Sequence, residues 1–275
     1  MENSKLEEII NLFWKIPSHY NLELPFEKQE GLHLEYLIGK YGKKTVDEYK
    51  RLGDAAHREQ TKESSFNAYE FGFETGMYQD AAPNVAYRSI LDLKSLLKLL
   101  GKREKFTVTD LGAGDGRISI ALALLLENIE KIYAIDIVKP ALKQMDLSKK
   151  LLPKTHQKKL DGRVVPVLGD YTDCNFKDKF NSKFNSKADI VLSLYPFDLF
   201  EVFEHGLDFL NIGGSILNFM PQPFEESEAS LDYIKEEVGM WARTFWYNME
   251  IVDHFSMPKG QLIVASEFKP AKTFD

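Results

Sequence analysis

Cysteine is nearly missing from this chain of 275 residues: Cys174 stands alone, so no internal disulfide can form and no thiolate cluster can hold zinc. His33, His57 and His254 have neither a carboxylate nor a second histidine at ligand spacing, and His205 reads as a structural or surface residue, which leaves no metal signature. No apolar run approaches the ~20 residues that cross a bilayer. The first fifteen residues mix charges with hydrophobics, unlike a secretory signal, so a cytoplasmic protein without a membrane partner is expected. Positive charge is in deficit: 35 Lys and Arg against 42 Asp and Glu give a formal net charge of -7. That balance counts against a nucleic acid as main partner, because phosphate neutralisation needs clustered cations. Two basic runs, 149–159 and 177–187, read as solvated surface loops, and the second holds the short tandem FNSKFNSK. What is present, 44% hydrophobic and 28% charged residues, suits one large globular domain with an attachment, or two small ones.

The chain is organised around residues 106–121. Phe106, Val108 and Leu111 form an apolar run with an acid at Asp110, then glycines alternate at Gly112, Gly114 and Gly116 before a helix-like apolar series resumes. The pattern predicts strand, tight turn and helix. Missing Cβ atoms let a ligand approach the backbone, and the helix that follows aims free N–H groups and partial positive charge at the turn. The dinucleotide fingerprint, G-x-G-x-x-G, sets its second and third glycines further apart than the D-x-G-x-G-x-G found here. Further on, the strand-like KIYAIDI ends in Asp136 and a helix pattern, 140–152, follows it. A third strand, in RVVPVLGDYTD, closes on Gly169, Asp170 and Tyr171; a fourth lies in ADIVLSLYPF; GLDFLNIGGSILNFM supplies a helix, a Gly-Gly turn and a fifth strand.

In these motifs and their order the chain resembles the class I, Rossmann-like S-adenosylmethionine-dependent methyltransferases. The resemblance implies S-adenosylmethionine as cofactor, its methionine end passing over Gly112, Ala113 and Gly114 after Asp110. It implies that Asp136 accepts both ribose hydroxyls, with Ile137 beside it, and that Asp170 meets the adenine amino group with Tyr171 near the ring. Groups ending the fourth strand face the methyl in this family, so Ser193, Leu194, Tyr195, Pro196 and Phe197 are expected on the acceptor floor. Leu194 is also expected to touch the donor. Tyr195 is the candidate catalytic residue, orienting an acceptor by hydrogen bond. Pro196 and Phe197 match the [N/D/S]-x-P-[Y/F] motif of enzymes that methylate planar amino groups, but Leu194 replaces its amide or acid and argues against that acceptor. Asn211 and Ile212 stand where the family often has Lys and Pro.

The resemblance covers 84–275, expected as the donor-binding domain, and leaves 1–83 as a helical extension and lid. Capping boxes at Ser4–Glu7 and Thr45–Glu48 predict two of its helices. Residues 66–88 are rich in aromatics without helical order and are expected to cross the mouth of the donor pocket, where Tyr78 and Arg88 can hold a carboxylate. Asn84 is expected to cap a long helix ending at Gly101. Residues 171–187 are too weakly periodic to predict a good helix. A helix from Glu225 into Trp246 and an antiparallel pair turning at 258–260 complete the chain. The fold expected is α/β: a seven-stranded, mostly parallel sheet with helices on both faces, an antiparallel C-terminal strand pair and the N-terminal helical extension. The expected activity is methyl transfer to a small-molecule acceptor by in-line displacement, which requires no catalytic triad. A protein or tRNA methyltransferase and a non-catalytic binding module are the alternatives.

Overall fold

The computed structural model describes residues 3–14, 26–59, 61–81, 83–184, 187–194, 199–221, 247–257 and 261–270. The helix from Glu225 and the turn at 258–260 lie outside them. The chain divides into two compact units: 1–101 with 114–125 and 138–152, and 102–113 with 126–137 and 153–275.

The first unit is helical. Its elements are α1 (Asn3–Phe13), α2 (Phe26–Tyr41), α3 (Lys43–Glu59), α4 (Lys62–Glu74), α5 (Tyr78–Ala81), α6 (Pro83–Leu100), α7 (Arg117–Leu125) and α8 (Lys139–Leu151). Helix α3 buries Val46 and half-buries Tyr49 on one face, and its exposed face carries the ion pairs Lys43–Asp47 at 2.5 Å and Glu48–Arg51 at 2.7 Å. The expectation that 66–88 lacks helical order is corrected, since most of α4, all of α5 and the first turns of α6 occupy it. Thr61 caps α4 by accepting a 3.1 Å bond from the Ser64 N–H. Its aromatics hide the period because they serve more than one face: Phe73 packs with Val138 and Ala141, while Phe71 stacks on Tyr49. Helix α6 opens on Pro83, whose missing N–H costs nothing at a first position, and it buries Ile90, Leu93, Leu96, Leu97 and Leu100 as its spacing predicts. Every residue of α7 after Arg117 is buried, which fits its unbroken apolar run.

The second unit is built on a sheet of order β3-β2-β1-β4-β5-β7-β6. Its strands are β1 (Phe106–Leu111), β2 (Ile129–Asp136), β3 (Val164–Leu168), β4 (Ala188–Leu194), β5 (Leu210–Pro221), β6 (Tyr247–Met257) and β7 (Gln261–Pro270). The fold is α/β with a mostly parallel sheet: β1 to β5 run parallel, and β7 lies antiparallel to β5 and to β6. Central β1 reads as an apolar run because it is buried almost throughout. Pro166 is tolerated in β3, an edge strand.

Three helices, α9 (Lys154–Leu160), α10 (Cys174–Phe184) and α11 (Leu199–Gly206), join the sheet unit. Both basic runs expected as loops are therefore largely helical. For α10 the signal was present but thin: Phe176, Phe180 and Phe184 recur every fourth residue, and the Asp173 carboxylate accepts the Asn175 N–H at 2.9 Å. Phe180 meets Tyr133 and Phe209 edge-on, at ring separations of 5.3 and 5.2 Å, in a core with Leu111, Ile135 and Val191. Among the described residues no helix is long and apolar enough to cross a membrane.

In the helical unit, burial raises the Tyr49 phenol from 10.0 to about 12, and burial followed by the hydrogen bond to Asp80 raises Tyr41 from 10.0 to about 12. Each phenol binds its proton more tightly folded than unfolded, so stability held below pH ~10 is lost as pH climbs toward 12. Ultraviolet titration should show a fraction of the 12 tyrosines ionising late, together with loss of helical circular dichroism. Ionisation of all of them near pH ~10 with the helices intact would contradict it.

Candidate functional site

Strand order reverses between β1 and β4: β2 and β3 continue on one side, β5 on the other. In open α/β sheets, ligands bind outside the carboxyl ends of the strands at such a switch point. Register levels those ends. Leu111 pairs with Ile135 and with Ser193, and Asp136 pairs with Leu168, so Gly112, Asp136, Gly169 and Leu194 all stand at one edge.

At that edge Gly112 has φ +72°, and a Cβ there would meet nothing within 4 Å. The amides of Gly112 and Ala113 are taken up within the sheet. Both donate to the Ile135 carbonyl at 3.0 Å, because the turn prolongs the β1–β2 ladder by two residues. Asp110 lies one residue inside the sheet and is 2% exposed. Asp136 is buried, and its carbonyl accepts the Gly169 N–H at 3.0 Å, which ties the ends of β2 and β3. Beyond them Ile137 and Leu168 present exposed apolar side chains.

Asp170 is anchored locally, its Oδ1 accepting from the Thr172 N–H at 2.9 Å and the Thr172 hydroxyl at 2.7 Å. Tyr171 packs half-buried against the sheet core, as does Phe176, and Phe176 lies on Gly169, where a Cβ would come within 2.0 Å of its ring. Leu194 ends β4 half-buried. Ser193 departs from the expected acceptor floor: it is 1% exposed and its hydroxyl donates to the Leu111 carbonyl at 3.2 Å, joining β4 to β1. Tyr195, Pro196 and Phe197 lie outside the described residues, as does the side chain of Arg88 on α6.

The rest of the glycine turn belongs to the helical unit. Gly114 (φ +58°) lies against Phe73, whose Cζ would stand 4.0 Å from a Cβ. Tyr78 stacks on Phe73 with ring centroids 4.2 Å apart and has Tyr69 on its other side at 5.3 Å. Burial, then the Tyr69 phenol and the Asp115 carboxylate, holds the Tyr78 phenol well above its ordinary range. Sequence reasoning missed Asp115 and Arg117, a buried ion pair at 2.8 Å. The Arg117 N–H and Nε also reach Asp115 Oδ1, and its Nη1 donates to the Phe13 carbonyl of α1 at 3.4 Å. An acid wedged between two glycines of the turn, with an arginine two residues on, was the available signal. Among the described residues no cluster of His, Cys, Asp and Glu could hold a metal ion.

No family model matches the chain, and no curated protein sequence does. Solved structures resemble it over about two thirds of its length. Trm5b of Pyrococcus abyssi shares 23% identity at TM-score 0.49, covering 66% of this chain and 49% of that one. The M. jannaschii tRNA m1G37 methyltransferase shares 22% identity at TM-score 0.44, again covering 66% of this chain and 49% of its own. The ribosomal protein L11 methylase of Lactobacillus delbrueckii subsp. bulgaricus shares 16% at TM-score 0.44, covering 64% of this chain and 77% of its own. The chain thus spans about half the length of the first two.

Two glycines of the turn should respond differently to alanine. Gly116 has φ +68°, and a Cβ there would sit 2.4 Å from Met145, itself 0% exposed. Gly116→Ala should therefore cost about 2–4 kcal/mol, backbone strain plus overpacking, against about 1–2 kcal/mol for Gly112→Ala, where strain acts alone. Denaturant midpoints measure the difference; equal losses would contradict the packing described.

Proposed function

We propose that the chain is an S-adenosylmethionine-dependent methyltransferase with a macromolecular acceptor, tRNA or protein. The observation that carries the donor reading is the levelled edge at the switch point. A glycine with open space in place of a side chain follows β1, a carboxylate ends β2, and exposed Ile137 follows it. Those three suit an adenosine: room for the chain to be approached at its backbone, an acceptor for two sugar hydroxyls, and apolar surface for a base.

The expectation of a small-molecule acceptor, with nucleic acid unlikely, is corrected. The solved structures reported above include one described as a tRNA methyltransferase and one as a ribosomal protein methylase, and none is described as acting on a small molecule. The physical reason the charge balance misled is that a net charge sums over the whole surface, whereas binding answers to local fields. Helix α9 alone carries Lys154, Lys158 and Lys159 in seven residues.

When bound, S-adenosylmethionine supplies an activated methyl carbon with its leaving group already in place. The work left to the chain is positional. Asp136 and Ile137 fix the sugar and one face of the base, with Asp170 and Tyr171 at its far edge. Asp110 supports the turn from within the sheet, while Gly112, Ala113 and Gly114 leave room for the methionine end, whose carboxylate falls to Tyr78 and Arg88. Leu194, which ends β4, and Tyr195 after it hold the acceptor nucleophile about 3 Å from the methyl carbon and keep water out. Residues 84–275 form the donor-binding domain in this reading, its sheet covered on both faces, and 1–83 act as extension and lid.

Isothermal titration should show binding of S-adenosylmethionine and none of NAD. Asp136→Ala should weaken it by about 1–3 kcal/mol, the loss expected when polar groups lose their partner. Binding of NAD, or of neither, would contradict the donor assignment. With labelled donor and a mixture of cell RNA and protein, label should enter one of the two macromolecular fractions. For the RNA arm, retention should fall steeply as salt rises from about 50 to about 200 mM. Label confined to small metabolites would contradict the acceptor class.

A further inference from the structure

Residues outside the turn and the sheet edge converge on the short segment that carries Tyr78. Between α4 and α5 the chain reverses at Gly76, whose φ of +71° few other residues adopt. Met77 follows, 0% exposed, in a cluster with Leu37 of α2 and Val46 of α3. Then come Tyr78 and, two residues later, Asp80. The Lys40 ammonium, near the end of α2, donates to the Asp80 carboxylate. Tyr41, next in the chain, has its hydroxyl 2.5 Å from Asp80 Oδ2 and 3.0 Å from the Gly76 carbonyl, two acceptors on the same turn. Lys40 also lies 5.7 and 5.3 Å from the ring centres of Tyr36 and Tyr41, which confines its ammonium. From α4, Gly72 gives the close approach that seats Tyr78: a Cβ there would come within 2.9 Å of Tyr49 and 3.3 Å of the Tyr78 Cβ.

Such a set is poorly placed to stabilise the whole fold. The Lys40 side chain is 47% exposed, and an ion pair so open to water contributes little to global stability. What it fixes is the position of a four-residue helix too short to hold its own place. Tyr78 on that helix stacks on Phe73, and Phe73 lies on Gly114 of the glycine turn, all within the helical unit.

We propose that Lys40, Tyr41 and Asp80 are positioning residues for the donor: they hold α5 so that Tyr78 is presented for donor binding. The inference rests on the assignment of Tyr78 to the donor site. Loss of the Asp80 carboxylate removes the polar anchor of α5 itself, leaving Met77 and the Tyr41–Gly76 bond to hold the turn before it, and Tyr78 then samples orientations that do not bind. Because Lys40 is half in water, removing its partner strands no buried charge, so the fold survives the change.

The experiment is donor titration of the full chain with S-adenosylmethionine, alongside thermal melting, for wild type, D80A, K40M, K40R, Y78F and the double variant D80A/Y78F. D80A and K40M should each weaken donor binding about tenfold, the loss of one charge-assisted hydrogen bond acting through position; melting should change little in D80A and fall further in K40M, which leaves the Asp80 side chain, 17% exposed, without its cation. K40R keeps a cation within reach and should bind nearly as wild type does. The double variant should bind no worse than Y78F alone, since both changes act through one phenol. Wild-type affinity in both D80A and K40M would overturn the positioning role while leaving the donor assignment intact. Fully additive losses in the double variant would overturn action through Tyr78. A folded wild-type chain that binds no donor would overturn both readings.

Discussion

The structure depends on how the carboxyl ends of four parallel strands are brought level. Three hydrogen-bond sets do it. The Gly112 and Ala113 amides share the Ile135 carbonyl, the Gly169 amide meets the Asp136 carbonyl, and the Ser193 hydroxyl meets the Leu111 carbonyl. Each links a residue at or just past the end of one strand to the last residues of its neighbour, so β2 and β3, β1 and β2, and β1 and β4 end in step. A slip of one residue would send Asp136 to the opposite face, since side chains alternate along a strand. The site is a consequence of register before it is a set of side chains.

The opposite ends of the strands are tied differently. Asp189 accepts from the Thr107 N–H at 2.8 Å and its hydroxyl at 3.0 Å, and the Asn211 amide reaches its other oxygen at 3.0 Å. The Arg163 guanidinium covers the carbonyls of Leu126 and Ile129, at 2.9 and 2.5 Å from its Nη2. Polar side chains are thus consumed where the strands begin, whereas mostly backbone groups close the ends where the site lies. Buried backbone groups must be satisfied somewhere, and at the carboxyl edge it is mostly the chain's own amides that satisfy them. Phe180, Phe209 and Tyr133 fill the core of the sheet unit, so that the edge rests on a close-packed base.

The sheet and its turn were legible in the sequence because burial on both sides leaves continuous apolar runs, and acids and glycines then mark where each run stops. Strands β1 to β5, helix α6 and the positions of Asp136 and Gly112 follow from that contrast. Helices α4 and α10 were not legible, for a common reason: aromatic and polar residues alternate in them without one apolar stripe. In α4 the rings serve α3 and the α8 start at once; in α10 only every fourth residue, Phe176, Phe180 and Phe184, is apolar in a lysine-rich context. Ser193 was assigned to the acceptor floor because strand alternation does not say whether a small hydroxyl faces a crevice or a neighbouring carbonyl. Lys40, Asp80 and Asp115 escaped notice because their partners lie in other helices or in the turn itself. Net charge is a sum in which a basic helix such as α9 disappears, so it is a poor guide to the acceptor class.

The central claim is that the levelled edge between β1, β2 and β4 receives an adenosine. Its most direct measurement is a crystal structure of the chain with S-adenosylhomocysteine. The account predicts both ribose hydroxyls within hydrogen-bonding distance of the Asp136 carboxylate, with the ligand lying across Gly112 and Ile137 against the base. A nucleoside bound elsewhere, or side chains filling the space at Gly112, would contradict it.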